Sequence, residues 1–374
     1  QSYRLAFWSV ASQEINYRRF FDINELAAIR IEDEKVFRHY HELLFKLIKE
    51  GKINGLRIDH PDGLYDPPVY FRRLQREYLL QMVVKDWEER ARQDTGESEE
   101  IDVDAVRESL DRLLENEFSA LPSFYVVAEK ILDRKEPLPE NWNIHGTVGY
   151  DFLNSLNGLF VDFSNDKAFE KLYEDYIGHP IDFDELVYNK KKFIGLVPMA
   201  SEINALGHRL DRISETNRNF RDFTRNDLIV AIRETIAGFP VYRTYVSPDS
   251  VSVSERDEKY IRIAIETARK KTPALNPAVY DFLQDALLLK LKTEPESQEA
   301  KLYCDFLLRF QQLTGPIMAK GVEDTSFYVY NRLVSLNEVG GDPFYFGYTA
   351  ENFHRQNMER NKRWNITEQA YNCM

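Results

Sequence analysis

Apolar residues at helical spacing alternate with short apolar runs along the first part of the chain. Residues 33–50 predict a helix that Asp33 can cap, because an apolar stripe recurs every three or four positions. The run Ile53–Ile58 follows at once and predicts a strand. Residues 69–85 predict the next helix, and Phe124–Ala128 predicts a second strand. This order of helix and strand is typical of a parallel α/β sheet.

The pattern between and after these strands is helical. The acidic stretch Asp86–Glu117 predicts a helical insertion with a loop near Gln93–Glu100. From about residue 165 to 300 the spacing predicts helices at Phe169–Tyr176, Ala200–Asn217, Leu228–Ala237, Glu258–Lys271 and Pro277–Leu291, with a short extended piece at Phe239–Val246. A helical stretch this long is a subdomain rather than a crossover connection. The apolar run Gly315–Gly321 predicts a return to strand.

The composition of the chain limits the classes of binding partner that we expect. The chain has 374 residues, 43% of them hydrophobic, and a formal net charge of −13. This charge argues against a nucleic-acid partner. The aromatic residues (Phe 24, Tyr 21, Trp 4) are numerous enough to pack a core and also to stack on sugar rings.

Cysteine usage and termini bear on the compartment. Cys304 and Cys373 are too few for a disulfide scaffold or a cysteine zinc site, and they indicate a reducing cytoplasm. We find no membrane span and no signal peptide in the sequence and expect no membrane partner. The chain begins with Gln1, so we expect a fragment of a longer protein.

The clearest chemical signal is a pair of carboxylates that follow two predicted strands. Arg57 and Asp59 lie two residues apart and face the same side, so the cation would keep the carboxylate ionised; the alternative is an ion pair that only closes the strand. Glu129 follows an apolar run that would raise its pKa, as a general acid requires; the alternative is an exposed loop residue. Two carboxylates at two strand ends are what glycosyl transfer requires.

Further polar groups suit sugar hydroxyls rather than a nucleophile. Lys320, Glu323 and Asp324 follow the third predicted strand. The loop that contains His145, Tyr150 and Asp151 would either line a sugar subsite or form a simple turn. We expect no metal site, because His39 and His41 do not share a helix face. No phosphate-binding loop is present, and we expect no cofactor.

Six ordered motifs resemble the maltooligosyltrehalose synthases, a branch of the α-amylase superfamily (glycoside hydrolase family 13). They are Glu14–Asp22, Gly55–Leu64, Val127–Leu132, Gly146–Phe152, Gly315–Tyr328 and Asn331–Pro343. The resemblance implies an α/β fold, a partial (β/α)₈ TIM barrel with large α-helical insertions. It also implies an isomerase of trehalose biosynthesis, which converts the reducing-end α-1,4 link of a maltooligosaccharide into an α,α-1,1 link.

The resemblance assigns roles to residues of this chain. Asp59 matches the nucleophile and Glu129 the general acid/base, while Arg57 orients the nucleophile and His60 lies beside the cleaved sugar. The remaining residues implied in substrate binding are Tyr17, Arg18, His145, Tyr150, Asp151, Lys320, Glu323 and Asp324.

Two departures from the family pattern predict an incomplete catalytic set. The family's early strands, with an Asp-x-x-x-Asn-His motif, have no match here, and the His-Asp motif that carries its third catalytic carboxylate is not found in the tail Asn365–Met374. We therefore expect this chain to be inactive alone. The predicted segments are 1–68 (barrel, nucleophile), 69–123 (helical insertion), 124–164 (barrel, acid/base), 165–310 (helical subdomain) and 311–374 (barrel).

The rival functions are an α-amylase or 4-α-glucanotransferase, which share the chemistry, and a non-catalytic glucan-binding fragment. The expected partners are a maltooligosaccharide substrate and functional pairing with a trehalose-releasing hydrolase.

Overall fold

The computed structural model describes residues 5–94, 101–117, 123–134, 136–139, 141–248, 252–291 and 297–363. The described chain is mostly helical, with few strands. The helices are α1 Glu34–Lys49, α2 Pro67–Asp94, α3 Val103–Glu117, α4 Tyr150–Gly158, α5 Asp166–Ile177, α6 Phe183–Leu196, α7 Ala200–Glu215, α8 Arg225–Ala237, α9 Glu255–Lys271, α10 Pro277–Leu287, α11 Gln298–Gly321, α12 Phe327–Val329 and α13 Ala350–Arg363. The strands are β1 Arg19–Phe20, β2 Ile23–Ala27, β3 Gly55–Ile58 and β4 Tyr125–Ala128. Among the described residues, no helix is long and apolar enough to cross a bilayer.

The chain forms two compact units. One contains the residues up to Ala28, residues 131–136 and Tyr150–Asn357; the other contains Ile29–Lys130, Pro137–Gly149 and the residues from Met358 onward. We call them the helical unit and the strand unit.

The strand unit is built on helices that support a parallel strand pair. Helix α1 begins as predicted at Asp33, whose carboxylate accepts hydrogen bonds from the Lys35 and Val36 backbone N–H groups at 2.9 and 3.3 Å. His41 is buried, and its ring nitrogens lie 2.8 Å from the Phe37 carbonyl oxygen and 3.0 Å from the Tyr70 hydroxyl. It is therefore a core residue of the α1–α2 contact.

Helix α2 fixes the start of strand β4. The Gln75 side chain is buried, and its amide donates to the Phe124 carbonyl at 2.9 Å while its oxygen accepts from the Phe124 N–H at 2.8 Å. The same amide donates to the Asn143 carbonyl at 2.9 Å. One side chain thus satisfies backbone groups that have no strand partner at this position.

The helical unit has a single large core formed by α6 to α11. Helices α7 and α8 approach closely at Gly207, where a Cβ would come within 2.3 Å of the Ile229 side chain. A glycine in mid-helix weakens the helix by roughly 0.5–1 kcal/mol, so close packing is the physical reason for this one. The five helices given for residues 165–300 are confirmed, and α6 lies in the same stretch of helical pattern.

The predicted strand at Gly315–Gly321 is wrong, because these residues form the last turns of α11. A short apolar run cannot by itself distinguish a buried strand from a buried helix. Here Phe306, Phe310, Leu313 and Ile317 continue one helical stripe into the run, and all four are buried. Helix α11 also crosses the boundary that we predicted at residue 310.

The predicted extended piece Phe239–Val246 is an irregular buried segment. The side chain of Gln311 on α11 receives a hydrogen bond from the Val246 N–H at 2.7 Å and donates to the Val246 carbonyl at 2.9 Å. A side chain therefore takes the place of a neighbouring strand. The predicted loop residues 95–100 and the tail Asn365–Met374, with Cys373, lie outside the described residues.

Candidate active site

The candidate site lies where β3 and β4 end. The two strands are parallel, with Gly55 opposite Tyr125 and Ile58 opposite Ala128. The Glu129 N–H donates to the Ile58 carbonyl at 2.8 Å, which extends the ladder beyond β4. Since parallel strands end at one edge, their next residues, Asp59 and Glu129, are brought together.

The environment of Asp59 favours its ionised form. An Arg57 guanidinium nitrogen donates to Asp59 Oδ1 at 2.6 Å, as the shared strand face predicts. Partial desolvation raises the pKa of Asp59, but hydrogen bonds with Glu129 and Arg57 outweigh it, so the pKa lies below its ordinary value. The two side chains of the ion pair are 37% and 63% exposed, so it contributes little to stability and acts chiefly on protonation.

The environment of Glu129 has the opposite effect. Burial raises the pKa of this half-buried carboxyl, and the neighbouring Asp59 raises it further, although a backbone hydrogen bond from His60 opposes both. The direction that we predicted for the pKa of a carboxyl beside an apolar wall, a raised value, is therefore the direction that burial gives here. The pKa values of the two carboxyl groups therefore depend on each other, as in other pairs of neighbouring acids.

The backbone of His60 contacts the Glu129 carboxyl group. Its N–H donates to Glu129 Oε2 at 2.8 Å. The residue has a left-handed conformation (φ 46°), which non-glycine residues adopt at a cost of order 1–3 kcal/mol. The strain turns the chain immediately after Asp59 and directs the amide toward Glu129.

Sequence reasoning missed a buried ion pair beside the site. Lys130 Nζ lies 3.2 Å from Asp62 Oδ2, and the two side chains are 0% and 7% exposed. A signal was available, since Lys130 stands between Glu129 and the apolar Ile131 in an otherwise apolar run.

His145 lies in the same unit but is bound to β4. Its N–H donates to the Val126 carbonyl at 2.7 Å, and its Nδ1 accepts from the Val126 N–H at 3.2 Å. Its Nε2 lies 3.2 Å from the Ser123 hydroxyl. The loop continues this pairing, with a parallel bridge between Thr147 and Ala128. The ring therefore stabilises the edge of the strand pair.

The polar group that follows α11 belongs to the helical unit. Lys320 Nζ lies 2.9 Å from Asp324 and 3.5 Å from Asp22. Burial lowers the pKa of Lys320, but these two carboxylates outweigh burial and raise it. Glu323 accepts a short hydrogen bond from the Tyr242 hydroxyl. Lys320 lies in the last turn of α11. Glu323 and Asp324 lie on the π-helical turn Val322–Ser326, an element found frequently at functional sites.

The other predicted residues also lie in the helical unit. Tyr17 is exposed, and its hydroxyl donates to the Asn24 carbonyl at 2.8 Å. The Arg18 carbonyl accepts from Ala28 at 2.8 Å in the β1–β2 hairpin. Tyr150 is buried at the start of α4, and Asp151 lies in the first turn of that helix.

The predicted site residues are thus divided between the strand unit and the helical unit. Arg57, Asp59, His60, Glu129 and His145 are in the strand unit, and Tyr17, Arg18, Tyr150, Asp151, Lys320, Glu323 and Asp324 are in the helical unit. Within the part of the chain that is described, no three acidic, histidine or cysteine side chains converge as metal ligands.

The proteins that are similar to this chain have names that refer to the same activity. No protein-family model matches the chain. A curated relative from Mycobacterium tuberculosis (strain ATCC 25618 / H37Rv) that carries the name maltooligosyl trehalose synthase is 28% identical over 367 residues, which is 97% of this chain and 38% of the relative. The structure of maltooligosyltrehalose synthase from Arthrobacter ramosus is 31% identical, with a TM-score of 0.72 over 96% of this chain and 38% of that one. The predicted resemblance to maltooligosyltrehalose synthases is confirmed.

The likeness to maltooligosyltrehalose synthases extends to a more distant structure. A hypothetical maltooligosyl trehalose synthase from Sulfolobus tokodaii is 28% identical, with a TM-score of 0.61 over 92% of this chain and 35% of that one. The chain spans little more than a third of the length of these synthases. The likeness supports a common fold for that part, mostly helical with few strands.

Proposed function

We propose that this chain carries the nucleophile and the acid/base of a maltooligosyltrehalose synthase. The main support is that Asp59 and Glu129 lie at the ends of two parallel strands. The pKa of Asp59 is lowered and the pKa of Glu129 is raised. One group that is ionised and one that is protonated are what retaining glycosyl transfer requires.

In the first step, Glu129 donates its proton to the oxygen of the reducing-end α-1,4 link while the Asp59 carboxylate attacks C1 of the adjoining sugar. The C1–O bond breaks, glucose is released into the site, and a glycosyl ester of Asp59 forms. Arg57 holds the attacking carboxylate, which the 2.6 Å contact supports.

In the second step, Glu129 removes the proton from the anomeric hydroxyl of the retained glucose. That oxygen attacks C1 of the glycosyl ester, Asp59 leaves as a carboxylate, and an α,α-1,1 link forms with net retention. Glu129 thus regains its proton, and Asp59 is again a free carboxylate. Substrate and product have the same atoms, so the reaction is an isomerisation. Exclusion of water prevents hydrolysis of the ester.

The fold fits this function as part of a larger barrel. We propose that β3 and β4, with their carboxylates at one end, are two strands of a (β/α)₈ barrel, and that residues 69–123 and 165–310 are helical insertions into it. The substrate that we propose is a maltooligosaccharide, and the predicted polar residues of this chain are its candidate binding groups. We further propose a cytoplasmic enzyme that works beside a trehalose-releasing hydrolase.

The test is incubation with maltopentaose of both the 374-residue chain and the longer protein in its reading frame. We expect non-reducing product from the longer protein and none from the chain alone. New reducing ends or longer chains would instead indicate an α-amylase or a 4-α-glucanotransferase. Binding without any turnover by either protein would favour a glucan-binding role and refute the proposal.

The pH dependence provides a second test. Because Glu129 must be protonated, the rate should fall as pH rises through its raised pKa. Because Asp59 must be ionised, the rate should also fall as pH drops through its lowered pKa. A rate that is flat across both limbs would remove this pair from the chemistry.

A further inference from the structure

The ion pair between Lys130 and Asp62 is unusual for its burial. Both side chains are almost completely enclosed, at 0% and 7% exposure, and lysine and aspartate are almost never fully buried unless paired. Lys130 directly follows Glu129, and Asp62 comes three residues after Asp59. The pair therefore joins the two turns that carry the candidate carboxylates.

Both ends of this ion pair have a fixed backbone. Asp62 lies in a short turn in which the Gly63 N–H donates to the His60 carbonyl at 2.9 Å. The Lys130 N–H donates to the Ala128 carbonyl at 2.9 Å. A displacement at either end of the ion pair must therefore shift the chain one to three residues away.

We propose that the buried Asp62–Lys130 ion pair positions the two candidate catalytic carboxyl groups relative to each other. Its action passes through the turn at His60, whose N–H reaches Glu129 Oε2 at 2.8 Å. A misplacement of about 1 Å in a catalytic geometry can cost about 10²-fold in rate. The catalytic consequence rests on the proposed function, whereas the positioning itself does not.

The experiment reports on the relative position of the two carboxyl groups through their titrations, and it does not require the chain to turn over a substrate. Carbon-13 carboxyl resonances of Asp59 and Glu129 are titrated by NMR in the 374-residue chain, assigned with Asp59→Asn and Glu129→Gln. The variants are Lys130→Met and the double variant Asp62→Asn/Lys130→Met. The double variant leaves no lone buried charge, so it avoids the main cause of unfolding.

A matched control is available in the same unit. Arg107 on α3 lies 3.3 Å from Glu77 on α2, with side chains 13% and 4% exposed. Arg107→Met breaks a buried ion pair of similar enclosure that lies away from the strand ends. It separates a general loss of packing from an effect on the site.

In the folded double variant, we expect the two carboxyl titrations to move toward their ordinary ranges and to lose their influence on each other. We also expect the His60 amide to exchange with solvent at least about tenfold faster. Arg107→Met should leave both readouts as in the parent.

Two results would overturn the proposal. One is a folded double variant with parent-like titrations and His60 exchange. The other is a double variant that fails to fold while Arg107→Met folds, since the ion pair would then serve the stability of the whole unit. If instead the titrations respond as expected but the longer protein makes no trehalosyl product, the proposed function fails and the positioning stands.

Discussion

Replacing Lys191 by methionine should make the stability of the helical unit much less dependent on pH. Lys191 is buried on α6, and its Nζ donates to the Phe239 carbonyl at 2.6 Å and lies 3.8 Å from the Met318 sulfur. These partners are a carbonyl and a thioether rather than a carboxylate. Burial lowers the pKa of Lys191 from 10.5 to about 7.

The sign follows from where the proton is held. Between pH 7 and 10.5 the unfolded chain binds a proton at Lys191 and the folded chain does not, so stability rises with pH across this window. Below the window both states are protonated, and stability stays at its lower level. At about 1.4 kcal/mol for each pKa unit, the full difference is on the order of 5 kcal/mol.

The methionine variant removes this titration but leaves the Phe239 carbonyl without its donor. That loss costs about 1–3 kcal/mol at every pH, so the slope is the decisive quantity rather than the absolute stability. The assay is urea unfolding, followed by circular dichroism, of both chains from pH 6.5 to 10. We expect the free energy of unfolding to rise with pH in the parent relative to the variant.

The control is Lys190→Met, one position away and only partly buried. Its profile should run parallel to that of the parent. Parallel profiles for the parent and Lys191→Met would refute the reasoning, because they would mean that Lys191 binds its proton equally in both states.

Four further predictions concern the site and its supports. In the longer protein, Asp59→Asn should abolish turnover of maltopentaose while leaving its binding nearly intact, because the nucleophile acts mainly on the transition state. Glu129→Gln should lower kcat by about 10²–10⁴-fold, and a substrate with a good leaving group should partly rescue its first step. Asp33→Ala should cost about 1 kcal/mol in urea unfolding through the lost helix cap. Gln75→Leu should cost about 1–3 kcal/mol for each buried Phe124 backbone group left unpaired, measured in the same way.

Each of these predictions has a result that would contradict it. Asp86 is an exposed carboxylate on α2, and Asp86→Asn should turn over maltopentaose like the parent. An equal loss of turnover in Asp86→Asn would show that the effect of Asp59→Asn is not specific to the nucleophile. Wild-type rates for Glu129→Gln would exclude it as the acid. Parent-like unfolding of Asp33→Ala or Gln75→Leu would show that water replaces the lost hydrogen bonds.

The local elements were largely predictable because their signals are local. Helix α1 has a cap and an apolar stripe, and both are properties of neighbouring residues. The error at Gly315–Gly321 has the same origin, since seven residues contain too little of the helical period to identify α11. Helix α6 lies in the stretch with a helical pattern, but the burial of its Lys191 was not predicted.

The candidate pair was predictable in its residues but not in its contacts. Charged residues that follow apolar strands identified Asp59 and Glu129. Nothing in the order of residues indicated that Lys130 pairs with Asp62, because that contact depends on how two strands 70 positions apart align. The mutual influence of the Asp59 and Glu129 carboxyl groups on their pKa values depends on the same alignment.

By itself, the sequence determined where most of the helices lie, the positions of β3 and β4, the candidate carboxylates and the likeness to maltooligosyltrehalose synthases. Each of these depends on residue type and spacing along one stretch of chain. Only the tertiary structure decided that Ile58 lies opposite Ala128, that the His60 N–H donates to Glu129, and that Lys130 is buried against Asp62. Protonation and burial depend on distances through space, and those distances exist only once the strands have paired.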